Sequence, residues 1–226
     1  TDTHIVDKLV TQRRDLVPRY PLNAGDVSEY VSMLHGEPRQ MMAKVNRWHF
    51  VLGELQSQFG YQTVHVIRSP QAVFDSMRNA YRRQGNRLAQ LVKRTGLVDH
   101  RAFNLRRYHD GVAEKANSLG WERPARSGFS DFEAFLATWL LANLAACRSM
   151  RNDGGLLFSY ERLLQDPASV ADGFRGLGLR FVTDNVLRPV ASAACLTDGL
   201  AIHGPVWERL GLESQAASLH ALLEGE

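Results

Sequence analysis

Apolar residues recur along this chain with two different spacings, and the spacing decides which elements to expect. Val64, Val66 and Ile67 form a short β-branched run, and LLFSY at 156–160 forms a second one after the turn Asp153-Gly154-Gly155. Both predict short buried strands. Elsewhere the period is helical. Val27, Tyr30, Val31 and Leu34 line one stripe of a helix over about 26–34 with Asp26 as its cap, and 48–59 keeps the same period until Gly60 stops it. MMAKVNRW, at 41–48, has room for a short strand. Pro70 stands where a first helical residue belongs, so a helix starts there and runs towards an arginine-rich stretch. Ser130 and Glu133 form a capping box ahead of the strongly apolar DFEAFLATWLLANLAACRSM. A helix broken at Asp166-Pro167 follows the second strand, and 185–226 is mostly helical around an irregular HGPVW segment. Helices alternating with strands imply an α/β chain, its parallel strands flanked by helices on both faces.

Composition narrows this picture. At 226 residues, 44% hydrophobic and 23% charged, the chain has the size of one domain, 1–226. Within it, 82–128 is basic and broken, with Phe103, Tyr108 and Trp121 set among arginines; it suits a helical insertion or substrate-facing lid, with a mobile surface helix as the plainer alternative. Net charge is +3, too little to argue for nucleic-acid binding. The cations are concentrated between Arg78 and Arg107, where Arg82, Arg83, Arg87, Lys93, Arg94, Arg101 and Arg106 meet almost no acid. A solvated helix face explains that run more simply than an anion-binding wall. Two cysteines, Cys147 and Cys195, without metal-site spacing, favour a reducing, cytoplasmic compartment. No apolar stretch reaches membrane-spanning length, so no membrane partner is expected.

Candidate chemistry gathers at the first strand. Arg68 directly follows Ile67, which puts it at a strand's carboxyl end, the edge where ligands bind in open α/β sheets. The helix beginning at Pro70 offers amide N–H groups to an anion there, and Ser76 lies almost two turns along it. An arginine for charge and a hydroxyl for a hydrogen bond suit a phosphate.

Arg68, Pro70 and Ser76, the helix carrying Trp139 and Asn143, and LLFSYERLLQDPASVADGFRGLGL together resemble sulfotransferases that use 3'-phosphoadenosine 5'-phosphosulfate (PAPS). The resemblance covers about 41–226 and rests on the order of the motifs more than on any one of them. It implies a P-loop-like sulfotransferase architecture with a helical insertion, PAPS as donor, no metal, and a small-molecule or glycan acceptor. Arg68 and Ser76 match the residues that bind the nucleotide's 3'-phosphate, and Tyr160 matches a tyrosine near the adenine, with a packed tyrosine as the equal alternative. Trp139 matches a nucleotide neighbour, with core packing favoured, and Glu161 is expected to be structural, pinning the adjacent helix start.

Lys44, 24 residues before Arg68, matches a lysine beside the transferred group. Two residues on, where many members carry a histidine as base, this chain has Asn46, which cannot take a proton at neutral pH. His49 is the nearest substitute, with His35 and Glu37 behind it, although a lone histidine is more often a packing residue. Nothing before residue 41 matches the family's glycine- and serine-containing loop for the 5'-phosphosulfate; Arg126-Ser127-Gly128 precedes a helix but has no strand feeding it. The loop therefore lies upstream of Thr1 or has been lost, and with it much of the transfer activity. HGPVWERLGL keeps Gly204 and Trp207 of the family's closing segment but lacks its arginine, with His203 the neighbouring polar group. The resulting expectation is in-line sulfuryl transfer from PAPS to a hydroxyl or amine; the alternative is a sulfotransferase-like interaction or scaffold protein without catalysis.

Overall fold

The computed structural model describes residues 20–36, 47–83, 100–125, 130–179 and 196–224. Lys44, Asn46, Glu37 and Cys195, and the strand expected within 41–48, lie outside them. In chain order the elements are α1 (Ala24–His35), α2 (Leu52–Phe59), β1 (Val64–Ile67), α3 (Pro70–Arg83), α4 (His100–Ser118), α5 (Asp131–Asp153), β2 (Leu156–Ser159), α6 (Tyr160–Gln165), α7 (Pro167–Gly176), α8 (Leu196–Ile202), α9 (Gly204–Leu210) and α10 (Glu213–Glu224). The chain is mostly helical around a small parallel sheet, with two strands among the described residues. The α/β class holds at that level.

Helix α5 organises the rest. Its 23 residues span about 34 Å. Ser130 accepts from the Glu133 amide while the Glu133 carboxylate accepts from the Ser130 amide, so both ends of the predicted capping box are present. At the other end Gly154 adopts φ 75°, a left-handed stop. Between these ends Leu136, Leu140, Leu141, Leu144, Ala146, Cys147 and Met150 are buried, so the helix is apolar around nearly its whole girth. Helices α4, α10, α2 and α3 pack around it, and both strands lie against it.

Strands β1 and β2 run parallel, Val64 opposite Leu156 and Ile67 opposite Ser159. His65 and Ile67 turn towards α5, while Val64, Leu156 and Phe158 pack with Val170 and Phe174 of α7. The strand pair is anchored at its start by the Leu156 amide donating to Thr63 O at 2.9 Å. Gly155 permits this approach, because a Cβ there would lie 2.9 Å from the same Thr63 oxygen.

Several boundaries differ from the spacing. The first helix begins at Ala24, with Asn23 as its N-cap and the Asp26 carboxylate reaching back to the Asn23 amide at 2.9 Å; the acid is the third helical residue rather than the cap. Residues 48–51 form a turn before α2, with the Val51 amide donating to Trp48 O. The HGPVW segment is helical from Gly204 because Pro205 fits a first turn, and Trp207 is buried with its indole N–H on Leu200 O. Within 82–128, α4 buries His109, Val112, Ala113 and Ala116. Tyr108 meets Tyr20 edge-on, and Trp121 lies under the Arg148 guanidinium. That half of the basic segment is tied into the protein core.

Truncating a fully buried leucine of α5 measures this dependence. Leu144→Ala should lower unfolding free energy by about 2–5 kcal/mol, whereas Val66→Ala, on the exposed side of β1, should change it by about 1 kcal/mol or less; urea titrations of the two variants compare them.

Candidate functional site

The strand register places the candidate residues before any side chain is considered. Ile67 is level with Ser159, so the next residues, Arg68 and Tyr160, leave the sheet together at its carboxyl end. The Arg68 guanidinium is exposed and sits 4.8 Å from the centre of the Tyr160 ring. Such a cation–π contact holds the guanidinium without consuming its charge. Among the described residues no carboxylate pairs with it.

The peptide unit linking Arg68 to Ser69 is held from both sides. Its carbonyl, Arg68 O, accepts from the Trp139 indole N–H at 3.1 Å, and its amide, Ser69 N–H, donates to Glu161 Oε1 at 2.9 Å. Trp139 comes from α5 and Glu161 from α6, and both are buried. Glu161 Oε2 is also buried and has no hydrogen-bond partner among the described residues. Glu161 thus pins a helix start, but that of α3 across the sheet end. Its carboxylate occupies an amide at the start of α3 that the sequence offered to an anion, so a ligand there meets the guanidinium first. Trp139 braces the strand exit through its indole.

Ser76 is exposed on α3. It shares the helix face of Ser69 but stands about 10 Å farther along the axis, seven residues at helical rise. No hydrogen bond joins it to Arg68 among the described residues. Arg68 and Tyr160 are therefore brought together, and Ser76 is set apart along the helix.

A second polar group lies on the α5 side of β1. Asn143, one turn beyond Trp139, donates through Nδ2 to Trp139 O at 2.7 Å, and its Oδ1 lies 3.0 Å from His65 Nε2, which donates to it. The His65 ring meets the His49 ring edge-on, centres 5.6 Å apart, and His49 Nδ1 shares a 3.1 Å hydrogen bond with the Tyr20 hydroxyl. Burial pushes the His49 pKa down to about 3, with the nearby His65 adding to the effect. His65 is also lowered by burial, opposed by its hydrogen bond to Asn143. Burial raises Tyr20. All three are neutral at neutral pH. The Tyr20 backbone itself sits flush on α4, where a Cβ on Gly111 would lie 2.5 Å from Tyr20 O.

His49 is therefore on the α5 face near the start of β1, three strand residues or about 10 Å from the Arg68 end. His35 is exposed beside Phe59 and Tyr61. His203 packs between Phe132 and Trp207, and burial lowers its pKa, which leaves it neutral and unlike the arginine of the closing segment. The polar chain from Tyr20 to Asn143 escaped the sequence reading. Its signal was a histidine inside VHVI and an asparagine inside LLANLAAC, two polar residues in apolar runs that had to find each other.

Among the described residues no group of three or more histidine, cysteine or acidic side chains is placed to hold a metal ion, and no helix is long and apolar enough to cross a membrane. No protein-family model, no curated protein and no solved structure matches the chain.

The buried histidines fix a direction for acid sensitivity. In the unfolded chain an imidazole takes up a proton near pH 6.5, while folded His49 refuses one until about pH 3. The unfolded state binds more protons across that window, so stability is full above pH 6.5 and falls as the pH drops. Melting temperature should decline between pH 6.5 and 5, above the carboxylate range, and His49→Phe should flatten that decline; thermal melts in a buffer series measure it.

Proposed function

We propose that this chain is a PAPS-dependent sulfotransferase that seats the donor's 3'-phosphate on Arg68 at the carboxyl end of a parallel sheet flanked by helices. The observation that carries the reading is the Arg68 guanidinium, exposed, stacked on Tyr160 and without a carboxylate partner among the described residues. A cation kept in that state at a strand end suits a dianion arriving from solvent, and the Tyr160 ring beside it suits a purine. Ser76 contributes a hydroxyl farther along α3, reached by a ligand that extends past the helix start.

In this reaction the acceptor's oxygen or nitrogen bonds to sulfur as the bond from sulfur to the nucleotide's phosphate oxygen breaks, releasing adenosine 3',5'-bisphosphate. Charge grows on the bridging and equatorial oxygens, and Lys44 is assigned to stabilise it. His49 is assigned to take the acceptor's proton as the histidine nearest the family's base position, although burial that pushes its pKa down to about 3 makes its ring a weak base. Arg68, Ser76 and Tyr160 hold the nucleotide so that sulfur faces the acceptor, a small molecule or a glycan. A cytoplasmic location fits the sparse cysteines. The second reading, a sulfotransferase-like binding or scaffold protein without catalysis, is favoured by Asn46 in the place of a basic histidine.

Adenosine 3',5'-bisphosphate at a hundredfold excess over its dissociation constant should raise the melting temperature of the protein with its natural N-terminus by about 5–10 °C. Arg68→Ala should remove most of that shift. An unchanged melting temperature in the wild type sinks the nucleotide assignment. Mass detection of sulfated product from PAPS and an acceptor panel separates the two readings, since the scaffold binds nucleotide and yields none; Lys44→Ala should cut turnover at least tenfold with the nucleotide shift intact.

A further inference from the structure

We infer that Trp139 and Glu161 are positioning residues that aim the Arg68 side chain by clamping the peptide unit on its carboxyl side. The inference rests on Arg68 being the anion-binding group. A residue leaving a strand normally has its next peptide unit held by ladder bonds, by a helix or by water. Here the carbonyl and the amide of one peptide plane are both taken by buried side chains, the Trp139 indole at 3.1 Å and the Glu161 carboxylate at 2.9 Å. These come from two different helices, 71 and 92 residues away in the chain. Fixing that plane fixes ψ of Arg68 and φ of Ser69, and so the direction in which the Arg68 side chain leaves the backbone.

Two further observations point the same way. Tyr160, whose ring carries the guanidinium, directly precedes Glu161, so one short segment at the head of α6 holds both the backbone and the tip of Arg68. Glu161 also keeps Oε2 buried without a partner among the described residues, an unfavourable arrangement for a residue whose only task is packing. A glutamate in this position sacrifices stability and gains an acceptor on the Ser69 amide.

The test has two readouts. In the ligand-free protein, the Nε–H resonance of Arg68 should be displaced by the Tyr160 ring current, since the guanidinium lies 4.8 Å from the ring centre. Trp139→Phe and Glu161→Ala should each move it towards the value of Arg68 in Tyr160→Ala, while Glu161→Gln, which keeps an acceptor for Ser69, should leave it near wild type. In binding, Trp139→Phe and Glu161→Ala should each weaken adenosine 3',5'-bisphosphate by about tenfold, with Glu161→Gln restoring most of the loss. In an Arg68→Ala background the same two changes should weaken binding no further, which separates aiming of the arginine from general loosening. An Arg68 resonance unmoved in both folded variants overturns the clamp, as does full additivity with Arg68→Ala. A wild type that ignores the nucleotide while the resonance moves as expected overturns the nucleotide assignment and leaves the clamp standing.

Discussion

The middle turns of helix α5 are buried on almost every side, and the polar side chains that point inward there cannot be left to water. Trp139 and Asn143 lie on the side that meets β1, one turn apart, and each must satisfy its hydrogen-bonding groups inside the protein. Trp139 does so on the last carbonyl of the strand exit, and Asn143 on its own helix and on His65. The demand for buried polar satisfaction thus joins the largest helix to the strand end at two heights. Removing α5 would remove the hydrophobic core and the alignment of Arg68 together.

Charge at the strand end follows from the same economy of partners. Glu161 places a buried carboxyl oxygen on the Ser69 amide at the start of α3, and the exposed Arg68 guanidinium rests on the Tyr160 ring. The buried carboxyl group and the solvent-facing guanidinium therefore have different partners at the same end of the sheet. A dianion of the kind proposed would meet a positive group that rests on an aromatic face, next to a peptide unit held by two side-chain hydrogen bonds.

The elements were largely legible because local signals were strong. Pro70, the Ser130–Glu133 box, the Gly60 and Gly154 stops and the Asp166-Pro167 break each act within a few residues. The Arg68–Tyr160 meeting was half legible, since two parallel strands predict a shared end but not their register. The hidden part was long-range. Glu161 on Ser69, His65 on Asn143 and Tyr20 on His49 join residues separated by 92, 78 and 29 positions, and no periodicity carries such a pairing. Asp26 was misplaced by three residues because asparagine and aspartate cap equally well, and only the direction of the side chain tells the cap from the third helical residue. The setting of His203 was likewise hidden, since only the fold brings Phe132 and Trp207 against its ring.

Gly111 gives the arrangement a remote dependency. The Tyr20 carbonyl rests where a methyl group on that glycine would stand, so the seat of the tyrosine is cut into the backbone of α4. From Tyr20 the contacts pass to His49, His65, Asn143 and Trp139, and end on the carbonyl of Arg68. A mutational survey confined to side chains lining the strand end would overlook a bare helical position at the far end of that line, where adding a single carbon has no neighbour it can push aside.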